Sequence, residues 1–303
     1  MDSRVKTMKR TGFITRRLFL QWLLGVPLLS LCPCLLSETK AQMVTPRLRE
    51  RGNSIGEHYK GEELDYEIGF WLIRRAALGH VSFKETEKQG RYQAILQAET
   101  LGVLGWIARY RVDTYRSTME EIDGGKRFRS LSFEEDVKVG GKTRKMVHLF
   151  DHEKRKWTVL KQSKDGTMAR SDREIPEGAV YDDFLTALCN FGYEVYGAIE
   201  RGKTYMIPTF PRKKATQYEI RVASQEEGER RRQAERSKEG KDFFVRLRLD
   251  PEITHSKEGI IEGWLSEDLC PMEGAIKDVV IVGDVKGRLI RRGYTEVIRS
   301  SEQ

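Results

Sequence analysis

From residue 64 onward one pattern leaves few folds open to this chain: apolar and polar residues alternate in short runs, and each run ends at a cluster of turn residues. Leu64, Tyr66, Ile68 and Phe70 alternate with Asp65, Glu67 and Gly69, and Ala77, Gly79, Val81 and Phe83 with Leu78, His80, Ser82 and Lys84; Tyr92, Ala94, Leu96 and Ala98 continue the series. A period of two puts every second side chain on one face, which is how a half-buried strand reads. Further runs follow at 110–115, 128–133, 145–150, 157–160, 218–222, 243–249, 260–265, 279–282 and 287–291. Turns are read at Arg74-Arg75, at 87–90, at Gly124-Gly125 and at Gly140-Gly141, and the stretch from Gly283 to Gly287 reads as one more hairpin turn. Short strands joined this way predict a mainly β fold, a curved antiparallel sheet or open barrel with one or two short helices packed against it.

Two segments break the alternation. Residues 101–109 carry Leu101, Leu104, Ile107 and Ala108 at helical spacing, with Gly102 and Gly105 against it. Residues 180–196 form the better helix, because Asp182 and Asp183 fall in its first turn, where carboxylates suit the helix dipole, and Val180, Phe184, Leu185 and Leu188 make one stripe. Residues 225–241 are almost wholly charged and read as a solvated loop, since they bury too little apolar surface to offset their ordering entropy. The expected organisation is a front segment over 1–42, a linker over 43–57, one β-rich domain over 58–292 and a tail over 293–303.

The front segment is of a different kind. Residues 18–36 hold only Gln21 and Ser30 as clearly polar positions and sit behind Arg4, Lys6, Lys9, Arg10, Arg16 and Arg17. A basic stretch ahead of an apolar one is the layout of a signal sequence. Thr15-Arg16-Arg17-Leu18-Phe19-Leu20 resembles the twin-arginine export signal of bacteria, with a generic basic segment feeding ordinary secretion as the alternative. Thr39-Lys40-Ala41 offers a cleavage site, whereas Leu31 is too large for a lipobox ending at Cys32. Without cleavage the same segment serves as a membrane anchor. The export machinery is thus the first partner the sequence implies, and the periplasm or cell envelope the expected location.

Setting this segment aside changes the charge. It holds seven of the 54 Lys and Arg and two of the 46 Asp and Glu, so +5 of the net +8 belongs to it and the remainder is close to balanced. That takes away most of the case that a basic isoelectric point would make for nucleic acid or an anionic membrane surface, and no nucleic-acid partner is expected. Of the four cysteines only Cys189 and Cys270 lie in the body; they either pair in an oxidising compartment or stay as two separate buried thiols. No CxxC or zinc spacing occurs.

No catalytic constellation, metal set or cofactor motif emerges. His148 and His152 are four apart, but on a strand followed by a turn, and Asp151 beside His152 reads as a turn contact. Glu134-Glu135-Asp136 and Glu267-Asp268 read as solvated turns rather than an acid–base pair. No phosphate loop, Gly-x-Ser-x-Gly elbow or dinucleotide fingerprint is present. A non-enzymatic protein is expected. The remaining candidates are the aromatics Tyr66, Phe70, Phe83, Trp106 and Trp264, which core packing explains by default and an apolar-ligand groove explains more sharply.

The succession "GEELDYEIGFW", "ALGHVSF", "YQAILQAET", "YRVDTY", "DDFLTAL", "RGKTYMIP", "GWLSEDLCPME" and "VGDVKGRL" resembles the domain-of-unknown-function family 3108 of exported bacterial proteins, over roughly residues 57–291. The resemblance implies a fold similar to the lipoprotein-localisation carriers, a curved sheet around a helical plug that shelters acyl chains, and brings no catalytic residues. The charged stretch at 225–241 and Cys270 depart from that family's pattern. Together these readings give an exported envelope protein that binds an apolar or amphiphilic ligand such as a lipid or lipid-bearing partner, with a solidly packed structural or interaction protein as the alternative.

Overall fold

The computed structural model describes residues 52–102, 105, 109–163, 165–211, 216–235, 240–279 and 283–295. The expected signal, with Arg16 and Arg17, lies outside them, as do Trp106 and most of the helix expected over 101–109.

The described chain begins with a short helix, α1 (Ile55–Tyr59), whose cap Ser54 accepts a hydrogen bond from the Glu57 N–H. Eight strands follow: β1 (Glu62–Phe70), β2 (Ile73–Glu85), β3 (Arg91–Thr100), β4 (Val112–Ile122), β5 (Arg127–Val139), β6 (Lys142–Asp151), β7 (Lys156–Gln162) and β8 (Met168–Glu174). Helix α2 (Phe184–Gly192) precedes β9 (Thr204–Pro208) and β10 (Gln217–Val222); α3 (Gln225–Ala234), β11 (Phe243–Arg248) and α4 (Pro251–Thr254) come next, then β12 (Ile260–Leu265), β13 (Pro271–Val279) and β14 (Gly283–Tyr294). All fourteen strands form one antiparallel sheet in the order β8-β7-β6-β5-β4-β3-β2-β1-β14-β13-β12-β11-β10-β9. Every neighbour except β1 with β14 is also a neighbour in sequence. The curved sheet stays open between β8 and β9, so the fold is the open form of the expected architecture.

Several local expectations change. The first hairpin turns at Trp71-Leu72, and Arg74 and Arg75 already belong to β2. The turn expected from Gly283 to Gly287 is strand: β14 begins at Gly283 and pairs with β13 from there. Strands β8, β9 and nearly all of β13 lie outside the expected runs: all seven residues of β8 are exposed, so nothing imposes alternation there, while β9 does alternate, with Tyr205 and Ile207 buried, but over only five residues. Residues 225–234 form helix α3 rather than a loop. Ser224 caps it, accepting from the Glu227 N–H, with Glu226 and Glu227 in its first turn and Arg231 and Arg232 in its last. The expected linker already enters the core, since Ile55 is fully buried, and β14 runs two residues past the expected domain end.

The main core lies on the inner face of the sheet. Phe83, Tyr92, Tyr115, Met119, Phe128, Phe133, Phe150 and Trp157 from β2–β7 meet Tyr205, Ile207, Tyr218, Ile220, Val222 and Leu247 from β9–β11 across a plug made of Ile175, Tyr181, Phe184, Leu185, Phe191 and Phe210. Phe210 is the hub: its ring centroid is 4.7 Å from His148, 5.3 Å from Phe150 and 5.5 Å from Trp157. Such aromatic pairs add roughly 0.5–1.5 kcal/mol each beyond their area burial. Among the described residues, β1, β13 and β14 contribute nothing to this cluster.

Candidate functional site

The site builds outward from α2. Its cap Asp183 is fully buried, and its Oδ1 accepts from the N–H groups of Leu185 (2.9 Å) and Thr186 (3.1 Å). Its Oδ2 accepts from the hydroxyls of Ser117 (2.6 Å), Ser130 (2.8 Å) and Thr186 (2.9 Å). Burial raises the Asp183 carboxyl from its ordinary range, and these donors oppose it. A small-residue position on β4 and another on β5 thus act as sockets for the end of the plug.

The same segment completes an unfinished edge. Strand β5 pairs with β6 only from Ser132 onward, so residues 127–131 overhang. A buried strand edge without partners is costly. Asn190 replaces the missing strand: its Oδ1 accepts from Phe128 N–H (2.8 Å) and its Nδ2 donates to Phe128 C=O (2.9 Å). One step along, Ser130 N–H donates to Asp182 Oδ1 (3.2 Å) and Ser130 C=O accepts from His152 Nε2 (2.7 Å). Asp182 also pairs with Arg127 (2.9 Å), yet burial pushes its carboxyl up to about 6. Burial and the Arg129 charge lower His152, which faces the Ser130 carbonyl.

A cavity of about 370 Å³ opens beside this edge, lined by Arg127, Arg129, His152, Arg155, Tyr181 and Asp182 among others. Arg129 is held by Glu120 and Arg155 by Glu174 (2.8 Å). No local motif announces it, because its walls come from β5, from the turn after β6 and from the segment entering α2.

The sheet's middle differs. On the inner face, Tyr66, Ile68 and Phe70 of β1 stand beside Gly79 and Val81 of β2, Val285, Gly287 and Leu289 of β14, and Gly274 and Ile276 of β13. All but Gly79 are only half-buried. One cross-strand row runs Ala77, Ile68, Gly287, Gly274, Gly263, so the floor is nearly free of side chains there. A Cβ at Gly287 would meet only Ile68, at 4.0 Å, and one at Gly274 would meet Glu262 O at 3.7 Å and Ile261 at 4.0 Å. The result is an apolar trough. Its upper end is closed by Arg292, buried between Glu62 (3.1 Å) and Asp268 (2.6 Å).

The aromatic candidates therefore separate. Tyr66 and Phe70 share the trough, and the Tyr66 hydroxyl donates to Pro271 C=O (2.9 Å). Phe83 belongs to the packed core, stacked on Tyr92 at 5.6 Å. Trp264 lies on the opposite face, where it packs with Phe244 and Ala223 beneath α3. Cys189 lies half-buried on α2, and Cys270 is buried just before β13.

Of the two acidic clusters, Glu267-Asp268 does form a turn, with Glu267 exposed and Asp268 half-buried, and the other does not. Glu134, Glu135 and Asp136 lie within β5, where Glu135 is buried 3.5 Å from His148, and Asp268 holds Arg292. Asp151 caps a turn, accepting from Lys154 N–H at 2.9 Å. Among the described residues no group of three or more His, Cys, Asp or Glu is placed to hold a metal ion, and no helix is long and apolar enough to cross a membrane.

An open antiparallel sheet with a plugged flank and a bare apolar middle is the class of protein these features define. The model of the family described as "Protein of unknown function (DUF3108)" matches residues 65–289, and the chain belongs to that family. Comparison with curated proteins and with solved structures returns no match.

Proposed function

We propose that this is an exported, non-enzymatic protein of the bacterial cell envelope that shelters an apolar or amphiphilic ligand, such as a lipid or lipid-bearing partner, in the inner trough. The observation that carries this reading is the contrast within one face: the plug fills the flanks, while among the described residues a Cβ at Gly274 or Gly287 would meet nothing nearer than 3.7 Å and neither of their strands joins the packed core. Residues 1–42, with Arg16 and Arg17, support export to the periplasm, or anchoring at the inner membrane if they are retained. The all-β architecture is compatible with that of the lipoprotein-localisation carriers.

Covering about ten methylenes at ~0.8 kcal/mol each gives roughly 8 kcal/mol before binding costs, which sets a Kd no tighter than about 1 μM. That strength suits a ligand which must also be released. Titration of the delipidated full chain with a fluorescent fatty acid tests the reading, alongside Gly274→Leu/Gly287→Leu. Neither glycine has a positive φ, so leucine fits the backbone and fills the floor. Saturable micromolar binding that weakens about tenfold or more in the variant, with melting little changed, is expected. Absence of binding, or equal binding by both proteins, would leave the packed interaction protein as the better account.

A further inference from the structure

The β1–β2 hairpin ends in two side chains that do nothing for folding. Trp71 is 79 % and Leu72 80 % exposed, while the next most exposed large apolar residue among those described, Tyr110, is at 58 %. The turn is tight, closed by the pairing of Phe70 with Ile73. Trp71 occupies it with φ +50°, a left-handed conformation that favours glycine and is strained for a large side chain. A strained position that holds an exposed tryptophan points to a use outside the fold.

The surroundings say what kind of surface receives it. Ile73, Arg74 and Arg75 follow directly and are exposed. Among the described residues neither arginine makes an ion pair, and residues 68–84 contain no Asp or Glu. Tyr110, beside Arg109 at the start of β4, lies along the same rim, because β1 and β3 end there and β2 and β4 begin there. The tip is convex: two adjacent apolar side chains project from an apex with cations just behind them. Tryptophan and leucine with flanking arginines is the composition that settles at a membrane interface, where the indole sits at headgroup level and the guanidinium groups meet lipid phosphates.

We infer that this hairpin tip docks the protein on an anionic bilayer, with Trp71 and Leu72 inserted at the interface and Arg74 and Arg75 on the headgroups. The inference does not rest on the trough: a protein whose trough is empty can still dock, and one that binds fatty acid in solution need not.

The full chain, mixed with phosphatidylglycerol vesicles carrying brominated acyl chains, gives the test. Comparing wild type with Trp71→Phe isolates the Trp71 signal from the other tryptophans, including Trp22 of the front segment. Bromine quenching that disappears in Trp71→Phe is expected. In Trp71→Ser/Leu72→Ser the affinity component due to the tip falls about tenfold or more. Replacing Arg74 and Arg75 with Ser lowers insertion about fivefold per charge on anionic vesicles and little on phosphatidylcholine. Because all four side chains are exposed, melting should be unchanged, which separates docking from misfolding. The inference is overturned if Trp71 contributes no quenching on anionic vesicles, or if quenching is the same on phosphatidylcholine and is unaffected by the arginine replacements.

Discussion

The flank and the middle of this sheet share a backbone pattern and differ in what stands on it. In the flank, β4 and β5 present Ser117, Ser130, Phe128 and Phe133 to a plug that answers each with a fixed partner, and the inner-face side chains join one buried cluster. In the middle, β1, β13 and β14 present Tyr66, Ile68, Gly287 and Gly274, and among the described residues none of these joins the packed cluster. The same alternation of inward and outward residues thus yields a core where a second layer arrives and a trough where none does. Burial needs two surfaces, and a strand pattern specifies only one of them.

The largest way to break this contrast is at the plug's anchor. Asp183→Ala strands three hydroxyls and two N–H groups in a buried site, so urea denaturation should show a loss of about 3–5 kcal/mol. A loss below about 1 kcal/mol would mean that the plug is held by packing alone.

Aromatic truncation in the two regions sharpens the comparison directly. Phe210→Ala removes a fully buried ring with three close aromatic neighbours and should cost about 3–5 kcal/mol, whereas Phe70→Ala, in the half-buried trough, should cost less than half as much. Equal losses would show that the middle is packed as the flank is.

A pH profile tests the plug more gently. Asp182 has its folded-state carboxyl raised to about 6, above its unfolded value, so between those two values the folded protein binds more protons than the unfolded chain. Its contribution is therefore full at low pH and is lost as pH rises through about 6. His152 and His255 are lowered by burial and act in the opposite sense nearby, so the quantity to measure is the difference between wild type and Asp182→Asn. Relative to that variant, wild type should lose stability on going from pH 4 to pH 7. A flat difference would place the Asp182 carboxyl in its ordinary range.

The smallest effect concerns the outer face. Helix α3 buries only Gly228 of its own residues and holds to the sheet by Arg231 over Phe244 (4.7 Å), Arg232 over Trp264 (5.8 Å) and Arg221 with Glu227 (2.7 Å). Arg231→Ala should cost about 0.5–1 kcal/mol in the same denaturation assay, with little effect on the trough.

That helix also shows where reading the chain fails. Residues 225–234 have no apolar stripe, so periodicity gave no reason to expect order, yet Ser224 followed three positions later by Glu227 is a helix-start signal that could have been weighed. Arginines then supply the packing that leucines usually do, through stems and planar heads laid on rings. Asn190 was overlooked for the opposite reason: within a helix it looks like an ordinary polar residue, and its role exists only because β6 stops short of Phe128. Asp182 and Asp183 were legible as a helix start but not as buried groups, since burial depends on the sheet that closes over them.

The sequence by itself determined most of the strands and of their turns, the helix after Asp183 and the antiparallel class, because alternation and capping act between residues a few positions apart. Tertiary structure alone decided that β1 closes on β14, that the plug fills the flanks, and that Tyr66 and Phe70 look into an open trough while Phe83 and Trp264 are packed away. Those outcomes depend on which surfaces meet across some 200 residues of chain, and no local periodicity carries that information.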